Sequence, residues 1–267
     1  MVKKLFKHEF SAYLRILLPI YAILLVIAVF GRITFAFKND TVVYNIIYGS
    51  SCALFGIAAF TALLFSAWYG VIRFYKNLFS GEGYLSFTLP VTPAQHLWVK
   101  STTAVTCGFC TTVVIFLSLA IFTKGPLIAE LWKAADYALG KLPAEYNDNV
   151  VIIAIEIVVL LLVSAYSSYF MYYSCITIGQ LAKKNRVLAA IGVYFGYYVI
   201  TQIISTILMI ILAFVEVGEY EEVEMSTEIL LTGYEVLLFI TLFITALLGF
   251  IYFIISRHIM TKRLNLE

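Results

Sequence analysis

The chain has 267 residues, of which 62% are apolar or aromatic and 13% charged, with a mean hydropathy of +0.95 and a formal net charge of +2. A soluble domain averages about 45–50% apolar and about 25% charged residues. The composition therefore excludes a soluble enzyme, a disordered tail and a nucleic-acid binder, and it leaves an all-α integral membrane protein. At about 20 residues per crossing, the length suits roughly six transmembrane helices and short connections, with no room for a nucleotide-binding domain.

In chain order, the first element is amphipathic. Within 3–17, Leu5, Phe6, Phe10, Tyr13, Leu14 and Leu17 share one helical face, while Lys4, Lys7, His8, Ser11 and Arg15 share the other. Such a segment is expected to lie in the headgroup plane of an anionic leaflet, either as a simple anchor or as an elbow that also touches a partner. Apolar runs follow at 16–37, 44–72, 99–122, 150–179, 187–215 and 229–255. Each can cross about 30 Å of hydrocarbon at 1.5 Å per residue. They must be helices, because lipid offers the backbone no hydrogen-bond partner. The first run is too long for a signal-peptide core and reads as a retained span.

Lys and Arg set the expected orientation. With the N-terminus cytoplasmic, 13 of the 18 basic residues fall inside, and the odd-numbered connections are basic-poor. Six crossings then return the C-terminus to the cytoplasm. The connection 73–98 is the longest expected on that side. Gly81, Gly83, Pro90 and Pro93 punctuate it, and Thr92 before Pro93 predicts a helix start. Its apolar residues Tyr84, Leu85, Phe87 and Leu89 suit either docking of another protein or packing under the helices. The outer connection 124–149 predicts a short interfacial helix carrying Trp132 and Tyr137. A second outer connection, 216–228, is acidic and matches no calcium-loop spacing.

Much chemistry is absent. No GxxxxGK[ST] and no HExxH occur, and His8, His96 and His258 lie far apart. Cys52, Cys107, Cys110 and Cys175 all fall in apolar runs and read as small packing residues. Glu156 is the one clear intramembrane acid, which argues against a metalloprotease or a proton-relay antiporter. Arg32 is expected to snorkel. Polar side chains concentrate in the fourth run (Ser164, Tyr166, Ser167, Ser168, Tyr169, Tyr173, Ser174) and the fifth (Tyr194, Tyr197, Tyr198, Thr201, Gln202, Ser205, Thr206). This band suits an amphipathic substrate. It equally suits helix–helix contact, with Gly192 and Gly196 forming a GxxxG.

Taken together, the amphipathic entry at 5–21, the six runs with both ends cytoplasmic, the stretch GEGYLSFTLPVTPAQHLWVK at 81–100 and the missing ATPase motif resemble the membrane permease subunit of a type-2 ATP-binding-cassette exporter of the Gram-positive kind. The resemblance covers essentially the whole chain, 1–267, as one permease domain. It implies a multi-pass plasma-membrane protein without catalytic residues or a cofactor of its own. It also implies a second permease chain, identical or related, and two copies of a cytoplasmic ATPase subunit carrying ATP and Mg. Under it, 1–15 is a connecting helix, and Glu82, Gly83, Tyr84, Leu85, Phe87, Leu89 and Pro90 belong to the ATPase-coupling loop. Phe60, Phe65, Tyr166, Tyr169, Tyr194, Tyr198 and Gln202 are the expected pathway residues, and the cargo is an amphipathic peptide, drug or lipid. One departure is that the extracellular helix follows the third span here, where the family places such helices between spans five and six. The alternatives are a non-transporting sensor or immunity protein that binds a cationic peptide, and the substrate-capture subunit of a vitamin importer.

Overall fold

Each of the six apolar runs lies in a long helix of the computed structural model, which describes residues 2–37, 41–80, 83, 90–123, 129–130, 132–134, 136–137, 147–218 and 227–262. The long helices are α1 (Val2–Ala36), α2 (Val42–Phe79), α3 (Pro93–Thr123), α4 (Asn147–Gly179), α5 (Arg186–Gly218) and α6 (Thr227–Lys262). All six are long and apolar enough to cross a membrane. No strand occurs among the described residues. The chain is an all-α, multi-pass membrane protein, as a backbone that can bond only within its own segment requires.

Local signals place the helix ends. Thr92 and Gln95 form a reciprocal cap at the start of α3. The Gln95 N–H donates to Thr92 Oγ1 at 3.3 Å, and the Thr92 N–H donates to Gln95 Oε1 at 3.0 Å. Pro93 then takes the first helical position, where a missing N–H costs nothing. Between α4 and α5 the chain turns through Asn185, whose φ of 56° is tolerated by an asparagine. Its carbonyl accepts the first bond of α5, from the Ala189 N–H at 3.1 Å.

The N-terminal segment differs from expectation in one respect. No break separates the amphipathic part from the span: α1 runs unbroken through 35 residues with Pro19 inside it. Such a helix is about 52 Å long, well beyond a hydrocarbon core of about 30 Å. Its buried stripe is Glu9, Tyr13, Leu17, Tyr21, Leu24, Ala28 and Gly31. The spacing of three or four residues follows one face of the helix, and that face starts on an acid.

The chain divides into two compact units, Met1–Lys76 with Phe87–Pro143, and Asn77–Ser86 with Ala144–Glu267. In the first, α1 and α3 run parallel. Glu9 meets Lys100, Tyr21 meets Thr111, and Gly31 faces Phe122. α2 runs antiparallel to α1, with Ser51 near Thr34 and Arg73 on Glu9. Leu24, Ala28, Phe55 and Phe122 form the apolar core, with the Phe55 and Phe122 rings 5.0 Å apart. Midway along, Tyr21 Oη lies 2.6 Å from Thr111 Oγ1, which lies 3.1 Å from Ser66 Oγ, so three helices share one polar contact. Arg32 is half-buried and keeps Nη1 without a hydrogen bond among the described residues.

The second unit repeats this plan. α4 and α6 run parallel, with Ser167 against Gly249 and Phe170 against Phe253 (centroids 5.3 Å apart). α5 runs antiparallel to both. Its Tyr197 hydroxyl lies 3.0 Å from Ser174 Oγ, and its ring is 4.7 Å from that of Tyr252.

A Cβ at Gly31 would overlap the ring of Phe122, itself buried between α1 and α2, whereas a Cβ at Gly192 meets nothing. Gly31→Ala should therefore lower the midpoint of thermal unfolding in detergent, by the equivalent of about 1–3 kcal/mol. Gly192→Ala should leave it unchanged or raise it, since alanine stabilises a helix interior by up to about 1 kcal/mol over glycine.

Candidate functional site

Two polar constructions stand out, one in each unit. The first is a buried charge clamp. Glu9 of α1 receives hydrogen bonds from Arg73 Nε near the end of α2, at 2.5 Å, and from Lys100 Nζ near the start of α3, at 2.7 Å. The Glu9 and Lys100 side chains are 4% and 5% exposed, so this is a desolvated ion cluster and not a surface pair. Burial alone would raise the Glu9 carboxyl. The Lys100 ammonium and the Arg73 guanidinium outweigh burial and hold it below its ordinary value. Burial likewise opposes the Arg73 charge, and Glu9 overrides that opposition to raise its affinity for a proton. His96, one turn before Lys100, is buried too.

Such a triad leaves one positive charge in excess and joins three helices at one point. The connection that links α2 to α3 leaves shortly after Arg73 and returns shortly before Lys100. Both of its ends are thus fastened to the same carboxylate on the N-terminal helix. A break on either side strands a buried charge, which is far costlier than losing a surface pair.

The second construction is an open cavity of about 290 Å³ lined by α4, α5 and α6. Hydroxyls reach it from every wall: Ser164, Ser167 and Ser168 from α4, Thr201 and Ser205 from α5, and Thr241, Thr245 and Tyr252 from α6. The remaining lining is Met171, Ile204, Leu208, Ile244 and Leu248. Small residues on α4 and Gly249 on α6 let the two parallel helices close on one edge of the cavity.

The residues expected to form a substrate pathway are placed differently. Ser164, Ser167, Ser168, Thr201 and Ser205 of the polar band converge on the cavity, but its tyrosines and its glutamine do not. Tyr166 packs on Phe170 and Tyr169 on Tyr173, while Tyr194 stacks on Tyr172. Tyr198 and Gln202 are exposed on α5. In the other unit Phe60 and Phe65 face outward from α2, Phe65 stacking on Tyr69. Of the expected coupling loop, Gly83 is buried, its N–H bonded to the Ser80 carbonyl at 2.7 Å, and Pro90 is exposed. Glu82, Tyr84, Leu85, Phe87 and Leu89 lie outside the described residues. So do 124–128, 131, 135 and 138–146 of the outer connection, and 219–226 of the acidic one. Trp132 and Tyr137 are exposed.

Three residues of these constructions escape a reading by composition. Glu9 looks like an ordinary charge of an amphipathic helix. Only its four-residue spacing to Tyr13 and Leu17 marks it as part of the buried stripe. Thr241 and Thr245 sit in the most uniformly apolar run. Glu156, moreover, is not the only acid in a span. Glu235 lies within the sixth run, and each of the two carboxylates keeps one oxygen buried without a hydrogen bond among the described residues. No group of His, Cys, Asp and Glu suited to hold a metal occurs among the described residues.

The class defined so far is a six-helix membrane protein with a charge clamp in one unit and a hydroxyl-lined cavity in the other. No family model, no curated protein and no solved structure matches the chain.

Replacing Glu9 by Gln should destabilise the first unit by about 3–5 kcal/mol, as removal of one partner of a buried ion cluster does. Hydrogen exchange should report it first in residues 3–15. Because the folded carboxyl titrates below its ordinary value, its contribution is full above that value and is lost as pH falls through the lowered one. The wild-type unfolding midpoint should stay level from pH 8 to about pH 5 and fall in more acidic solution, and Glu9→Gln should remove that part of the fall.

Proposed function

We propose that this chain is the membrane-spanning permease subunit of an ATP-binding-cassette exporter, driven by a separate ATPase that supplies ATP and Mg. The observation that carries the reading is the Glu9 clamp. A subunit that receives mechanical work from below needs the receiving loop rigidly attached to the helices it must move. Here one carboxylate fastens both ends of the 80–92 connection to the N-terminal helix. Force applied to that connection is transmitted to α1, α2 and α3 together, as a rigid-body step requires.

Several further features support it. The sequence carries six spans, an amphipathic entry and a basic bias of the kind that accompanies cytoplasmic termini and a cytoplasmic 73–98 connection. The segment at 81–100 resembles the stretch with which such permeases contact their ATPase. The cavity among α4, α5 and α6 offers a place for cargo within the membrane. In this reading the protein resides in the plasma membrane, two permease chains form the path, and two ATPase copies dock beneath them.

The test is co-purification. Expressed with the genes that flank its own, the chain should retain a Walker-motif ATPase, and Leu89→Asp should release it while the permease stays folded. A chain that purifies alone from that context, or an ATPase that stays bound to Leu89→Asp with unchanged turnover, overturns the coupling assignment and favours a non-transporting sensor.

A further inference from the structure

The cavity in the second unit is specific in its hydrogen-bonding sense. Five of its hydroxyls already spend their protons inside their own helices. Ser164 donates to the Leu160 carbonyl at 2.6 Å, Ser168 to Ser164 at 2.8 Å, and Thr201 to Tyr197 at 3.0 Å. Thr241 donates to Leu237 at 2.8 Å and Thr245 to Thr241 at 2.7 Å. A hydroxyl whose hydrogen is engaged has only lone pairs left to offer. The wall is mostly apolar, the free lone pairs of these five hydroxyls are spread over all three helices, and no Lys, Arg or His lines it. Such lone pairs solvate N–H donors, and no cationic side chain is there to hold an anion.

The register of the parallel helices adds a second feature. Ser167 and Gly249 face each other, as do Phe170 and Phe253. Eleven residues before Ser167, a whole number of turns, stands Glu156. Eighteen before Phe253, again a whole number, stands Glu235. Both acids therefore project into the α4–α6 seam, within about one turn of each other. They lie about 12 Å and about 9 Å along the helix axes from Ser164 and Thr241, the nearest cavity hydroxyls on their own helices. Each has one oxygen buried without a hydrogen bond among the described residues. Two carboxyl groups at one end of the cavity supply a counter-charge for a cation that enters it.

Depth narrows the ligand. Ser167, Thr201 and Thr245 lie near the middle of the apolar stretches Val151–Gly179, Arg186–Ile210 and Gly233–Lys262. The cavity is thus at hydrocarbon level, away from the headgroups of resident lipids. What reaches it must carry its own apolar tail.

We propose that the cavity between α4, α5 and α6 binds the primary ammonium group of an amphiphilic amine, held by the lone pairs of Ser164, Ser168, Thr201, Thr241 and Thr245. The binding itself stands on the second unit alone. That the amine is cargo rests on the exporter reading above.

The test uses the purified full chain in phosphatidylcholine nanodiscs, without ATPase, titrated with n-octylammonium, n-octyltrimethylammonium and octanoate and followed by calorimetry. Octylammonium should bind saturably with one site per chain. The trimethyl analogue, a cation with no N–H, should bind at least roughly tenfold more weakly, the usual consequence of losing hydrogen bonds to a charged group. Octanoate should not bind. Thr241→Val/Thr245→Val preserves shape and removes two acceptors, and it should weaken octylammonium about tenfold without altering the trimethyl analogue. Glu156→Gln/Glu235→Gln should weaken both cations alike. Equal binding of all three probes, or octylammonium binding unaffected by the double valine variant at an unchanged unfolding midpoint, overturns the proposal. Partition of all three into empty nanodiscs to the same extent as into loaded ones does so as well. If the amine binds but no ATPase co-purifies, the exporter reading fails and this one stands; the reverse result separates them the other way.

Discussion

Hydrocarbon neither donates nor accepts a hydrogen bond, and nearly every polar feature of this protein is a response to that fact. In water, a serine or threonine inside a helix competes with the backbone and weakens it. In the spans here the same residues turn back onto their own carbonyls, as Thr103, Ser118, Thr206 and Ser256 do. The helix satisfies them locally and no partner helix is needed. The exceptions are informative. Where a hydroxyl reaches across helices, as at Tyr21, Thr111 and Ser66, it marks a place where three helices must keep register.

Charge obeys the same rule more strictly. A buried carboxylate is costly without a counter-charge, and Glu9 sits at the start of the buried stripe of α1, where an arginine and a lysine from two other helices reach it. The desolvation cost of three ions is offset only if all three remain together. This makes the junction all-or-none, a property suited to transmitting displacement. Apolar packing at the same point would tolerate gradual slippage.

The two units share an arrangement: two parallel outer helices closely packed, with an antiparallel middle one. What differs is the filling. The first unit is closed by rings, with Phe55, Tyr48 and Phe122 in mutual contact. In the second, serines and threonines from all three helices line a cavity.

Composition and hydropathy were enough to determine that the chain lies in a membrane, that it crosses as helices, and close to where each helix begins. Those properties follow from transfer free energies and capping chemistry, which act over a few residues. The Thr92–Pro93 start of α3 was legible for that reason, and the structure adds Gln95 to its cap. Which polar residues matter was decided only by tertiary packing. The prominent tyrosines and Gln202 of the polar band do not line the cavity, while Thr241 and Thr245 line it from a run that reads as featureless. Glu9 became central because the register of α1 against α3 happens to bring Lys100 opposite it. A helix presents residues by angle and depth, and both depend on the neighbour it packs against, which no single segment of sequence contains.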